Sequence, residues 1–205
     1  MTLPLTGMYV AFMRSPAPNL LPIFRSRHQA EILAWLYLHP GDEYTLSQLA
    51  ERFGVPQSTL HREVERLVGA GLIRDRAVGR TRLVAAATEH RAALPLTQLL
   101  AVTFGPLTVV AEEFSEVTGV EGVHIYGSWA ARYEGVSGPP PSDLDVLVVG
   151  RPTRADVYAA SDRAQERLGI PVNPSIRTIE QWRDPADGLV QQIKASPYVT
   201  VFSND

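Results

Sequence analysis

The sequence predicts an α+β chain in two parts, and three observations predict it. Between Arg25 and Val84 a helix, a short helix, a tight turn, a longer helix and a β-hairpin follow one another. From Val120 to Ile176 short apolar strands are separated by helical stretches, the pattern of a small mixed sheet. Between them lies Leu96–Val117, largely apolar and of helical length. The 205 residues, 45% hydrophobic and 20% charged, suit one full-sized domain or two small ones and exclude wholesale disorder. Cysteine is absent, which rules out disulfides, thiolate metal sites and thiol nucleophiles and fits a reducing, cytoplasmic setting. No uninterrupted apolar run reaches the roughly 18–20 residues of a membrane span, so no membrane is expected. Met1–Ser26 lacks a basic start and is interrupted by Arg14, unlike a signal peptide.

Four segments are expected: a Pro-rich arm over 1–24, a first domain over 25–88, a helical linker over 89–118 and a second domain over 119–205. Arg27–Leu38 reads as a helix through Ile32, Leu33, Leu36 and Tyr37, stopped by Pro40-Gly41. Thr45 with Gln48 forms a capping-box signature for Leu46–Phe53. Gly54 ends that helix, and the next opens with Pro56 in its first turn and runs to about Val68. Leu72–Ala77 and Arg82–Ala86 alternate around Val78-Gly79-Arg80-Thr81, a hairpin with glycine at its tip. The linker should break at Gly105-Pro106. Beyond it, Val120–Tyr126, Leu144–Val149 and Pro171–Arg177 read as strands, Trp129–Glu134 and Arg154–Leu168 as helices, and Gly135–Ser142 as a loop. Thr178 should cap one further helix, Leu189–Lys194 form another, and Tyr198–Phe202 a last strand.

The net charge is −3 and the pI about 6.0, which excludes a globally basic nucleic-acid coat. The charge is uneven. Arg25–Val84 carries nine arginines against seven acids, while the remainder holds 10 basic and 15 acidic residues. In the first domain, a helix beginning near Gln57 would offer Gln57, Ser58, Thr59, His61 and Arg62 to a major groove. The hairpin adds Arg74, Arg76, Arg80 and Arg82 at alternate positions, one face of each strand, suited to phosphates or a minor groove. Thr45-Leu46-Ser47-Gln48-Leu49-Ala50 followed by Ser58–Leu67 resembles the two core helices of the winged helix-turn-helix of bacterial and archaeal transcription regulators. That resemblance implies binding of double-stranded DNA.

In the second domain a strand ends in Gly127-Ser128, where a helix begins. Glycine admits close backbone approach, and a helix start offers N–H donors to phosphate. After the Pro-rich loop comes Ser142-Asp143-Leu144-Asp145. On a strand Asp143 and Asp145 face the same side and repel, which a Mg²⁺ ion carrying substrate phosphates would relieve. The bland alternative is a capped turn at Ser142-Asp143 with Asp145 facing solvent. Gly127-Ser128 with Asp143-Leu144-Asp145 resembles the nucleotidyltransferase superfamily that includes DNA polymerase beta and kanamycin nucleotidyltransferase, over about residues 119–177. The whole chain looks like a family joining a winged helix to a minimal domain of that kind. The resemblance assigns nucleoside triphosphate contact to Ser128 and Mg²⁺ to Asp143 and Asp145, the catalytic acids.

That superfamily supplies a third carboxylate from a later strand, and Asn173 or Ser175 stands there instead. Arg132 either reaches a phosphate or pairs at the surface, and Trp129 with Tyr133 reads as core. The apolar linker should bury itself in a homodimer. Three functions follow: a DNA-binding regulator with an active, Mg²⁺-dependent nucleotidyltransferase domain, a regulator that only senses nucleotide, or a non-catalytic partner-binding protein of antitoxin type.

Overall fold

The computed structural model describes residues 24–139 and 141–204. The arm expected over 1–24 therefore lies outside them, except for Phe24, which packs on the first core. Helix α1, Arg27–Leu38, starts where the Ser26 side chain accepts from the Gln29 amide. It buries Ile32, Leu33, Leu36 and Tyr37, and the Tyr37 hydroxyl donates to the Leu72 carbonyl at 2.7 Å. A two-residue strand that the sequence did not announce, β1 (Tyr44–Thr45), precedes α2, Leu46–Phe53. Thr45 and Gln48 make the expected capping box, and Gly54 closes α2 at φ +61°. Helix α3 is Gln57–Gly69, so Pro56 is its N-cap rather than part of its first turn. Strands β2 (Ile73–Val78) and β3 (Thr81–Ala86) form the hairpin over a two-residue turn, Gly79-Arg80. The sheet order is β1-β3-β2. Leu36, Leu49, Leu60, Val64, Leu67, Ile73 and Val84 close one core between these elements.

The apolar linker is two helices, α4 (Ala93–Phe104) and α5 (Pro106–Ser115), broken at Gly105-Pro106 as expected. The expectation that its apolar residues need a second copy is corrected for most of them. Ala93, Leu96, Leu100 and Phe104 pack into the first core, and Leu107, Val109, Val110 and Phe114 into a second. The break redirects the helix so that each half serves one domain. Together Ala93–Ser115 is long and apolar enough to cross a membrane, yet its buried residues belong to these two cores. Leu94 and Val102 remain exposed on α4.

The second domain adds β4 (Val120–Tyr126), α6 (Gly127–Tyr133), β5 (Leu144–Gly150), α7 (Arg154–Leu168), β6 (Val172–Arg177), α8 (Ile179–Arg183), α9 (Gly188–Lys194) and β7 (Val199–Ser203). Its sheet order is β6-β5-β4-β7, with β5 antiparallel to β4 and parallel to β6. Pro174 is tolerated because β6 is an edge strand. Leu144, Val146 and Val148 of β5 point into the core shared with α5 and α7. Leu147 and Val149 point the other way, beneath Trp182, Ile193 and Tyr198. Glu113 of α5 pairs with Arg163 and Arg167 of α7, each at 2.7 Å.

The two domains meet where the end of α7 rests on α1 and α2. Arg52 donates to the Glu166 carbonyl at 2.6 Å and lies 3.2 Å over the Trp35 ring. The His39 ring reaches the Leu168 carbonyl, and Gly169, at φ +72°, presses its Cα side against Trp35.

Candidate functional site

On α3 the residues expected to read DNA differ in how far they reach solvent. Ser58, His61 and Arg62 are exposed, Thr59 is half-buried, and the Gln57 amide donates to the Ser47 hydroxyl at 2.6 Å. Gln57 is exposed and joins α2 to α3 through this bond. Glu65 stands 3.7 Å from His61 on the same face.

The hairpin arginines also divide. Arg76 pairs with Leu83 across the ladder and Arg82 with Ala77, so Arg74 and Arg76 lie on one face of the hairpin and Arg82 on the other. Arg76 forks onto both oxygens of Glu43, between 2.5 and 3.1 Å. That hydrogen bond holds the half-buried Glu43 carboxyl below its ordinary pKa and raises that of Arg76. Arg74 donates to the Ala86 carbonyl at 3.2 Å and lies 4.0 Å from Glu43. Arg82 bonds Asp75 at 2.7 Å and also Glu65 on α3, bracing hairpin to helix. Arg74 and Arg76 thus share one face of their strand, the arginine of the other strand faces the opposite way, and acids nearby take up three of the four side chains. Arg80, at the turn, and Arg62, on α3, form no ion pair among the described residues.

In the second domain the structure brings the remaining candidates to one end of the sheet. Tyr126, Asp145 and Asn173 are neighbours in one row across β4, β5 and β6. The Asn173 amide donates to Asp143 at 3.0 Å, so Asn173 rather than Ser175 stands beside the acids. Ser175 meets the Tyr126 hydroxyl at 3.3 Å. Burial first, and then the Asp143 charge, raise the Asp145 pKa, while a hydrogen bond from Asn173 opposes them. Gly127 has φ +74°, and a Cβ there would run into Asp145 Oδ2 and stand 3.3 Å from its Cγ. The space glycine leaves is therefore taken by a carboxylate of the same chain, which sets the Gly127-Ser128 turn directly on Asp145. Ser128 itself is exposed at the first turn of α6.

Of the two roles expected for Arg132, its contacts within the chain are those of the surface. Its guanidinium donates to the carbonyls of Val136 at 2.5 Å, Ser137 at 3.0 Å and Pro139 at 3.1 Å. It thereby holds the loop leading to Asp143 against α6. Trp129 is half-buried on the second core, but Tyr133, stacked 5.1 Å from it, is 56% exposed and not core.

Two carboxylates on one face, one of them with its pKa raised, fit a single hard cation. No group of three or more His, Asp or Glu suited to a metal occurs among the described residues. The seat formed by Trp35, His39 and Arg52 carries no local sequence signal, since its partners on α7 lie more than a hundred residues away.

Residues 25–82 match the sequence pattern of the MarR family. Among solved structures, the chain is similar to reduced HlyU from Vibrio cholerae, 22% identical over 40% of this chain and 82% of that one, with a TM-score of 0.34. It is similar to MepR, a transcription regulator of the Staphylococcus aureus multidrug efflux pump MepA, 18% identical over 40% of this chain and 60% of that one, TM-score 0.35. It is also similar to a mutant MarR from E. coli complexed with operator DNA, 18% identical over 41% of this chain and 59% of that one, TM-score 0.33. The chain thus spans less than two thirds of the last two. No curated protein matches it.

Proposed function

Because residues 25–82 are a MarR-family winged helix-turn-helix regulator domain, we propose that this chain reads operator DNA as a two-fold homodimer and senses a Mg²⁺-bound nucleotide through its second domain. The observation that carries the DNA reading is the pair of arginines without an ionic partner among the described residues, Arg62 on the exposed face of α3 and Arg80 at the hairpin tip. Arg62 is placed for base edges beside Ser58 and His61, and Arg80 for the adjacent phosphates or minor groove.

Arg80→Ala is expected to weaken binding to every duplex and to lower the slope of log K against log salt by about 0.9. Arg62→Ala should cost about 1–3 kcal/mol on the preferred site and relax sequence preference. Arg82→Ala should leave the salt slope at its wild-type value, since Arg82 braces the hairpin. Fluorescence anisotropy at several salt concentrations measures all three. A wild-type slope in Arg80→Ala would remove the hairpin from the interface.

The second copy is proposed to cover the exposed stripe of Leu94 and Val102, each 69% exposed and two turns apart on α4. Light scattering at micromolar concentration should give a dimer for the wild type and a monomer for the double variant Leu94→Glu/Val102→Glu. A wild-type monomer, or a dimer that survives both charges, would count against this surface.

In the second domain, Asp143 and Asp145 would hold the Mg²⁺, which supplies charge neutralisation for the nucleotide's phosphates, with Gly127-Ser128 beside them. Asn173 supports sensing over transfer. It sits where a third acid would act, and an amide cannot accept a proton at neutral pH.

A further inference from the structure

We propose that His39 is a proton-operated clamp between the winged-helix domain and the second domain, closed when its ring carries both protons. The ring follows α1 and stacks on Trp35, with centroids 4.1 Å apart. Its Nδ1 lies 2.7 Å from the Trp35 carbonyl oxygen, one turn back on the same helix. Its Nε2 lies 2.7 Å from the carbonyl oxygen of Leu168, the last residue of α7. Both neighbours can only accept. A neutral imidazole has one N–H, so in one of these contacts a nitrogen lone pair would face an oxygen lone pair at hydrogen-bond distance. The imidazolium donates in both.

Both carbonyls belong to the last turns of helices, where the helix dipole places its negative end. Arg52, from α2, is the opposing charge, but its guanidinium is occupied by the Trp35 face and the Glu166 carbonyl. The Glu166 carboxylate of α7 attracts Arg52 in turn. Asp42, in the turn after α1, places its amide on the His39 carbonyl at 3.1 Å. Tyr44, 6.0 Å from Trp35, stays neutral, its phenol pushed up to about 12 by burial first and then by its hydrogen bond to Asp42.

Closing the clamp binds a proton that an open neutral ring does not hold. Docking should therefore strengthen as pH falls through the range in which histidine titrates and weaken as pH rises through it. The clamp also stands between the two proposed sites. Gly169 is followed within four residues by Asn173, whose amide lies on Asp143. The inference itself rests on the ring and its two carbonyls and needs no nucleotide.

Amide exchange at Gly169, which closes α7 onto Gln165, reads the clamp directly in the full chain. Comparing wild type with His39→Gln at the same pH cancels the intrinsic pH dependence of exchange. Glutamine can donate from one end only. The variant is expected to exchange about ten-fold faster than wild type near pH 6 and within about two-fold of it near pH 8. The same ratio at both values would overturn the proposal. A long-range proton–nitrogen spectrum of the wild-type imidazoles provides a second readout that needs no variant. Two N–H nitrogens on His39 near pH 6 are expected, and one bare ring nitrogen there would also overturn it.

Discussion

Gly169→Ala should destabilise the chain by about 2–4 kcal/mol and separate the two domains. Two costs add at this position. The backbone has φ +72°, where any side chain is strained by about 1–2 kcal/mol. A Cβ there would also run into Cη2 of Trp35 and stand 2.8 Å from its Cζ3 and 3.0 Å from His39 Nε2. The indole cannot step aside easily, since Arg52 lies 3.2 Å over one part of it and His39 stacks at 4.1 Å. Urea unfolding followed by circular dichroism measures the loss, with Gly188→Ala as the control. At Gly188 a methyl group would have nothing within 4 Å and the backbone has no left-handed φ, so its alanine should be neutral or slightly stabilising. A Gly169→Ala protein within about 0.5 kcal/mol of wild type would show that this contact between domains is not tight.

The second large effect is expected at the acid pair. Asp145→Asn and Asp143→Asn should each weaken Mg²⁺-dependent binding of ATP or CTP by at least about 10–100-fold, the loss that changing even an outer-shell partner of a metal ligand brings. Stability should move the opposite way. Burial and the Asp143 charge raise the Asp145 pKa, so the folded state holds that proton more tightly than the unfolded chain does. The stabilisation is present in full below the ordinary aspartate range and is lost as pH rises through the raised pKa. Asp145→Asn removes the penalty that remains above it. Without metal, the variant should therefore melt at or above the wild-type temperature at neutral pH and show its smallest advantage in acid. A capping role would give the reverse sign, a loss of about 1 kcal/mol. Calorimetry with Mg·ATP and Mg·CTP, together with melts across pH, separates the two. Absence of nucleotide binding by the wild type would end the sensing proposal while leaving the DNA reading intact.

Sequence by itself settled what depends on neighbours along the chain. Thr45 and Gln48 announced their capping box, Gly54 its helix end, and Gly105-Pro106 the break between α4 and α5. Each is a local hydrogen-bonding or dihedral constraint, legible within four or five residues. The order helix, short helix, helix, hairpin sufficed for the winged helix, because its core is built from consecutive segments. The pairing of Asp143 and Asp145 was legible too, since they stand two apart where an extended strand begins, although β5 itself starts at Leu144.

Tertiary structure decided which of those side chains are free. Gln57 is held by Ser47, Arg76 by Glu43, Arg82 by Glu65 and Asp75, and Arg132 by the carbonyls of the loop after α6. Alternation gives a residue's face on its own strand but says nothing of the acid a neighbouring element brings opposite it. The choice of Asn173 over Ser175 needed the register of β6 against β5, which a parallel crossover through α7 sets at long range. The linker's covering was decided in the same way. Its hydrophobicity required burial, but whether its own cores or a second copy supply that burial depends on where the break at Gly105 sends each half. The contact of His39 with Leu168 joins residues 129 apart in the chain, and only packing of the two domains brings them together.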